Sequence, residues 1–401
     1  MKINDNESSK IDGKYRNSKH IEGKSLKLNI SKIILGMSAS LVFVAMIISF
    51  NSGFRTAAPE IIVAFLLLAI GFRNFTLLKG FSFTFVIFAA VTASLSYPDY
   101  FISYNGFKFA LLITPLIQII MFGMGTSMSV KDFVNVLKMP KGVFIGVFSH
   151  FLIMPLLGLT LASISGFKPE IAAGIILIGC SPNGMASNVI SYLAKANLAL
   201  SVTITAISTL LAPLITPLLM KLLAGAFIEI NVENMMFDIA KMVIVPIIFG
   251  LVFNRLLRNK HQWLGKIMPL ISMSGIAFII MIITAAGHNS LLAIGFKLIL
   301  LVLIHNLIGY ILGYWSGRLF KMEERDCRTM AIEVGMQNGG LASAIAKEMG
   351  KMATVGLAPA VFGPLMNVTG SLLASYWHRK PIRDDSIDTN YISSANIYKP
   401  R

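Results

Sequence analysis

Long apolar runs separated by short polar connections constrain the fold of this 401-residue chain more than any other feature. A helix needs about 20 mostly apolar residues to cross a bilayer, and backbone groups in lipid must be paired within the chain. We therefore predict an all-α polytopic membrane protein. The candidate spans, of which the second is short enough to lie in the interface instead, are 33–50, 58–72, 81–97, 109–127, 142–165, 170–195, 198–224, 236–254, 267–287, 291–317, 328–349 and 353–377.

The distribution of basic residues predicts the orientation of these spans. The connections alternate between Lys/Arg-rich and Lys/Arg-poor, as the positive-inside rule describes for cytoplasmic and outer loops. This places both termini on the cytoplasmic side of the cell (inner) membrane. The same rule accounts for the net charge of +16, so we expect no nucleic-acid partner. The basic connections are 73–80, 129–142, 255–266 and 318–328, and the poor ones are 51–60, 165–170, 224–234 and 286–290.

The two ends of the chain and its two cysteines give little further indication of function. Residues 1–32 are polar and mixed in charge, which predicts a disordered cytoplasmic tail, and 379–401 form a second solvated tail. Cys180 and Cys327 have no Cys or His neighbour at metal-ligand spacing, so we interpret them as small buried apolar residues.

Two of the spans are interrupted by residues that favour turns. GCSPNGMASN (179–188) and EVGMQNGGLA (333–342) each contain an Asn-Gly pair inside an otherwise apolar run. Broken helices persist in membranes only where they face protein or a wet cavity. The breaks lie five spans apart, so the two halves would have opposite orientation. This pattern is typical of secondary transporters built from inverted repeats with a binding site near the midplane.

Glu333 is the sharpest single signal because a charged side chain within a span is costly and usually functional. Two alternatives remain open, a bound cation and a carboxyl group kept protonated by burial. Ser201 and Thr205 share a helix face and offer oxygen to a hard cation, and Ser187 and Asn188 follow the first break. Taken alone, such hydroxyls more often bond back to their own helix.

Three asparagines and one histidine complete the set of polar candidates. Asn183, Asn338 and Asn367 lie at the breaks and in the last span, and helix N-termini at such breaks favour an anion. His150 stands alone in an apolar span, where packing is the commoner role. The sequence contains no nucleophile elbow, phosphate loop or carboxylate pair, so we do not expect an enzyme.

At these residues the sequence resembles the bile acid:sodium symporter family, over roughly residues 81–378. The resemblance implies two inverted five-helix repeats, 81–224 and 225–378, with broken and crossing fourth and ninth spans, forming a core and a panel domain. It leaves 33–80 as extra N-terminal spans. The matching stretches are MFGMG (121–125), residues 179–217, HNLIGYILGY (305–314), EVGMQNGGLA (333–342) and GSLLASYW (370–377).

The resemblance also implies ligands for sodium and for an organic anion. A first sodium site would comprise Ser187, Asn188, Ser201, Thr205 and Glu333. A second would use Glu333, the carbonyls of Val334 and Met336, the Gln337 side chain and His150, which stands where the family has a glutamine. Substrate contacts would lie near Met185, Ala186, Asn338 and Asn367.

The function that follows is sodium-coupled symport of an organic anion, with no cofactor besides the coupling ion. A small carboxylate such as a 2-oxo acid or a pantoate-like compound, or a bile acid, fits the family. One alternative is proton coupling through Glu333 and His150. Another is a ligand sensor or channel built on the transporter scaffold, which would have no need to keep a coupling-ion site.

Overall fold

A computed structural model describes the backbone of residues 5–75, 79–128, 139–256 and 262–380; side chains are described within these ranges except at 5–27, 79–80, 262–266 and 269. Within these ranges the regular structure is helical apart from one short hairpin, β1 (Ser103–Tyr104) and β2 (Phe107–Lys108). The helices are α1 (Asp5–Ser52), α2 (Phe54–Phe72), α3 (Lys79–Ser96), α4 (Asp99–Ile102), α5 (Ile113–Ser127), α6 (Pro140–Ser165), α7 (Pro169–Cys180), α8 (Ala186–Leu193), α9 (Leu198–Ala224), α10 (Val232–Leu256), α11 (Gln262–Ala286), α12 (His288–Leu319), α13 (Glu324–Gly335), α14 (Gly339–Glu348) and α15 (Leu357–His378).

Within the described ranges, eight helices are long and apolar enough to cross a membrane, and shorter apolar helices cover 81–96, 169–180 and 270–286. The predicted all-α polytopic membrane fold is therefore confirmed. Every predicted span coincides with a helix or with a pair of half-helices. Among the described residues, four of the twelve predicted spans lack such a long helix: two are the interrupted spans, each divided into two short pieces, and two are the shorter apolar helices at 81–96 and 270–286.

The N-terminal region differs from the predicted disordered tail, because a single helix, α1, covers Asp5–Ser52. No proline interrupts this stretch, and elongating a helix that the apolar half has nucleated costs little. Helix α1 packs on α2, and α2 packs on α3. The Ser38 hydroxyl donates to the carbonyl of Ala64 at 2.9 Å inside this contact. Residues 1–4 and, in the predicted C-terminal tail, 381–401 lie outside the described residues.

The contacts of the remaining helices can be described as two groups, which are joined where α9 packs on α10. In the first group, which we call the panel, α5 packs on α10 and α11, and α11 packs on α3. In the second, the core, α6 packs on α7 and α9 while α12 packs on α13 and α15, and α6 meets α12. The same pairings therefore recur in the two halves of the chain. The inverted relation of these halves stays a prediction.

The two interrupted spans meet at their breaks. Helix α7 ends before Pro182, and α13 ends before an extended Met336. The extended residues pair, with Gly184 N–H donating to the Met336 carbonyl at 3.4 Å and Asn338 N–H donating to the Pro182 carbonyl at 2.8 Å. A Cβ atom on Gly184 would lie 2.7 Å from the carbonyl oxygen of Gln337, so this crossing requires glycine there.

Candidate functional site

A cluster of side-chain oxygens surrounds Glu333, which is fully buried one turn or less from the break after α13. From α9, the Ser201 hydroxyl donates to Oε1 at 2.5 Å and the Thr205 hydroxyl donates to Oε2 at 2.8 Å. From α8, the Asn188 Oδ1 atom lies 2.9 Å from the Ser201 oxygen and 3.4 Å from the Thr205 oxygen. Ser187 Oγ lies 3.3 Å from the Thr205 oxygen. Two hydroxyls of α9 therefore bond the carboxyl group on α13, and α8 supplies oxygens next to those hydroxyls.

The protons available in this cluster are fewer than its acceptors. Ser201 and Thr205 each carry one hydroxyl proton, while the Glu333 oxygens and Asn188 Oδ1 all accept. The Ser187 hydroxyl donates elsewhere, to the Gly184 carbonyl at 2.8 Å. None of the ion pairs among the described residues involves Glu333. The cluster is buried, rich in oxygen, poor in hydroxyl protons and without a basic partner. Its oxygen atoms are therefore suited to act as ligands of a hard cation.

The hydroxyls of α9 near Glu333 divide into two sets. Thr203 and Thr209 bond back to carbonyls of their own helix, at 2.7 Å each. Ser201 and Thr205 instead point across to Glu333. The back-bonding alternative therefore describes the neighbours and not these two candidates.

The second predicted cation set is already engaged in hydrogen bonds. The Val334 carbonyl accepts from Gln337 Nε2 at 2.9 Å, and the Met336 carbonyl accepts from the N–H of Gly184. Within the described part of the chain, Gln337 Oε1 is buried without a hydrogen-bond partner. These residues thus offer one free side-chain oxygen beside carbonyls that are shared with the crossing.

His150 is fully buried against the crossing. Its Nε2 atom lies 2.9 Å from the Ser181 carbonyl, and its Nδ1 atom lies 3.2 Å both from Asn183 Nδ2 and from the Glu333 carbonyl. A neutral imidazole with its proton on Nε2 donates to the Ser181 carbonyl and accepts from Asn183 at Nδ1, and in this tautomer the contact between Nδ1 and the Glu333 carbonyl is not a hydrogen bond. The Asn183 amide also donates to the Glu333 carbonyl. His150 and Asn183 therefore fix the backbone of α13 beside Glu333.

The predicted substrate residues lie on the core. Met185 and Ala186 are half-buried at the N-terminus of α8. Asn338 caps α14, since its Oδ1 atom accepts from the N–H of Leu341 at 3.0 Å. Asn367, on α15, bonds back to the carbonyl of Gly363 on its own helix. The first three are thus at half-helix N-termini, while no hydrogen bond of the described residues joins Asn367 to them.

The start of α14 faces the panel. A Cβ on Gly340 would lie 3.6 Å from Ile117 of α5 and 3.7 Å from Ile276 of α11. The N-terminus of this half-helix, with its partial positive charge, therefore opens onto an apolar wall at the boundary between core and panel.

Comparison with known proteins identifies the family. Residues 114–295 match the sodium bile acid symporter family. A sodium-dependent transporter of Bacillus subtilis, YocS, is 39% identical over 300 residues, which cover 74% of this chain and 91% of that protein. The chain belongs to the sodium bile acid symporter family.

Two further relatives of this chain extend the comparison. The probable sodium/metabolite cotransporter BASS1 of Arabidopsis thaliana is 31% identical over 263 residues, or 66% of each chain. The ileal sodium/bile acid cotransporter of Mus musculus is 32% identical over 243 residues, or 58% of this chain and 68% of its own. These relatives are named as transporters that use sodium, which supports sodium-coupled membrane transport and not enzyme activity.

Several residues that hold the site together were not among the sequence candidates. Asn197, Asp326, Thr329 and Arg328 lie at the ends of the helices that carry the predicted ligands. Only Asn197 had a usable sequence signal, because an asparagine immediately before an apolar run is typical of a helix N-cap.

Proposed function

We propose that this protein is a sodium-coupled symporter of an organic anion in the cell membrane, with both termini on the cytoplasmic side. The observation that carries the proposal is the buried Glu333 carboxyl group, which accepts from two hydroxyls of α9, one of which also lies 2.9 Å from the Asn188 amide oxygen of α8. Sodium prefers oxygen ligands, and binding would offset the cost of an ionised carboxylate in the membrane.

The substrate side of the proposal rests on the two half-helices. The N-termini of α8 and α14 carry partial positive charge, which favours a carboxylate. The isoleucines opposite Gly340 favour an apolar body next to that carboxylate. A small monocarboxylate, such as a 2-oxo acid or a pantoate-like compound, fits this combination, and a bile acid is the larger member of the same class.

The first test is a sodium titration of the purified protein by thermal shift, with potassium as the control. A ligand that binds only the folded state raises the unfolding midpoint as its concentration rises. We expect a sodium-specific rise in the wild type that Glu333→Gln abolishes. No such rise in the wild type would contradict the proposal.

The second test separates the coupling ion and the mode of action. In proteoliposomes loaded with buffer, an inward sodium gradient should drive accumulation of a labelled carboxylate above equilibrium. Accumulation driven by a pH gradient without sodium would favour the alternative of proton coupling through Glu333 and His150. Uptake that only equilibrates, or binding without uptake, would favour a channel or a sensor.

A further inference from the structure

Helices α9 and α13 meet along two matched faces. The residues that make the contact are spaced by four positions along α9 and by three and four positions along α13. Each set therefore lies on one side of its helix. Ser201 and Thr205 contact Glu333. Two turns earlier on α13, Asp326 makes a separate polar contact with Asn197. The two faces comprise Asn197, Ser201 and Thr205 on α9, and Asp326, Thr329 and Glu333 on α13.

Asn197 makes that separate contact through both its side chain and its backbone. Its Nδ2 donates to Asp326 Oδ1 at 2.8 Å, while its backbone N–H donates to the Thr329 hydroxyl oxygen at 2.9 Å. The Thr329 hydroxyl lies 3.1 Å from the Asn197 carbonyl. Asn197 Oδ1 accepts from the N–H of Leu200 at 3.1 Å and so caps α9. The residue that begins α9 is therefore bound to the first turns of α13.

The same end of α13 also holds the other helices of the site. Arg328 is buried, and its guanidinium donates to the carbonyl of Ala194 after α8 at 3.3 Å and to the carbonyls of Trp377 and Lys380 at the end of α15 at 3.3 and 2.9 Å. It also pairs with Glu324 at 3.0 Å. One short segment, 324–329, thus joins α8, α9 and α15 at a distance from the candidate cation ligands.

We propose that Asn197 and Asp326 are positioning residues that set the register of α9 against α13 and thereby the geometry of the cation site. This inference rests on the proposed sodium site. A slip of one residue along a helix moves a side chain by about 1.5 Å. Metal–oxygen distances tolerate only about 0.2 Å, so Ser201 and Thr205 need a fixed register to face Glu333.

A reciprocal exchange tests the hydrogen bond without removing the cap. Asn197→Asp keeps an N-cap oxygen but places a carboxylate against that of Asp326. Adding Asp326→Asn restores a donor and an acceptor with their direction reversed. We expect N197D to weaken sodium affinity by roughly tenfold, the lower end of the range for groups that orient metal ligands, and the double variant to recover most of it.

The readout is the sodium affinity fitted to the rise of the unfolding midpoint with sodium concentration, measured from each variant's own sodium-free midpoint. Glu170→Gln is the matched control, since it breaks a contact with Lys351 and Thr354 at the other end of the core. It should lower the midpoint and leave the sodium affinity unchanged. If N197D does not fold, Asn197→Ser keeps a capping oxygen, lacks the amide donor, and should weaken sodium binding likewise.

The outcomes separate this inference from the proposed function. Wild-type sodium affinity in a folded Asn197 variant would overturn the positioning role alone. A double variant that regains stability but not sodium affinity would overturn it as well. A wild type without any sodium-specific shift would overturn the proposed sodium site, and the positioning role with it.

Discussion

At the residue scale, the direction of each hydroxyl on α9 separates the candidate ligands from their neighbours. Thr205 and Thr203 are both buried and differ by two positions, which places them on different faces of the helix. Thr205 points to Glu333, whereas Thr203 donates to the Ala199 carbonyl. The pair therefore offers a matched comparison within one helix.

Thr205→Val should weaken sodium binding about tenfold or more, because a hydrogen-bonding group next to a charge contributes roughly 1.5–3 kcal/mol. Thr203→Val removes a hydroxyl of the same size that serves only its own helix, and it should leave the sodium affinity at the wild-type value. The sodium-dependent thermal shift measures both variants. Equal affinities for the two variants would argue against Thr205 as a ligand.

A charge within a span and a spacing of four singled out Glu333, Ser201 and Thr205 in the sequence, but only the family resemblance predicted them as neighbours. The sequence was not enough to predict the contact between Asn197 and Asp326, which joins residues 129 positions apart. Such pairs depend on how α9 and α13 pack. Helical periodicity shows which residues share a face of one helix but not which other helix that face contacts.

At the element scale, the broken helices could be predicted and the long first helix could not. The Asn-Gly pairs mark both interruptions, because this dipeptide favours turns wherever it occurs. Helix α1 instead continues through Gly13 and Gly23. The polar composition of this N-terminal segment, taken alone, would favour disorder. Glycine lowers helix propensity by only about 1 kcal/mol, which an adjoining stable helix outweighs.

Close backbone packing joins α5 and α10 within the panel. A Cβ on Gly250 would lie 2.3 Å from the Phe122 carbonyl oxygen, and one on Gly125 would lie 2.3 Å from the Ile247 carbonyl oxygen. Both obstacles are backbone, so they cannot turn aside as a side chain would. Small residues at such crossings let membrane helices approach each other.

Gly250→Ala should therefore destabilise the protein, by about 1–3 kcal/mol, the usual cost of forcing an extra methyl into a packed contact. The matched control is Gly295→Ala on α12, where the nearest atoms to a new Cβ are those of Leu291 at 3.8 Å. This change should be neutral or slightly stabilising, since alanine favours helix. Thermal unfolding in detergent compares the two, and equal midpoints would contradict the packing argument.

At the scale of the whole molecule, a polar contact joins core and panel at the end of α14. The Thr114 hydroxyl of α5 donates to Glu348 Oε1 at 2.5 Å, and Lys347 Nζ lies 3.1 Å from the Thr114 oxygen and 2.7 Å from Glu348. Next to it, a polar cavity of about 180 Å³ is lined by residues that include Glu229, Asp238 and Glu348. The contact is partly exposed, which limits its strength.

Glu348→Gln should weaken this contact and favour separation of core and panel at that end. An exposed ion pair contributes at most about 1 kcal/mol, which corresponds to roughly a fivefold shift in an equilibrium. The reporter is a cysteine introduced by Ile117→Cys, opposite Gly340, in a background that lacks Cys180 and Cys327. The measured quantity is the rate at which a water-soluble thiol reagent modifies this cysteine. Glu348→Gln should raise that rate up to about fivefold. Glu229→Gln, which removes a charge from the same cavity without touching Thr114, should leave the rate unchanged. An equal rise in both variants would mean that cavity charge, and not the bridge to α5, controls access to the boundary between core and panel.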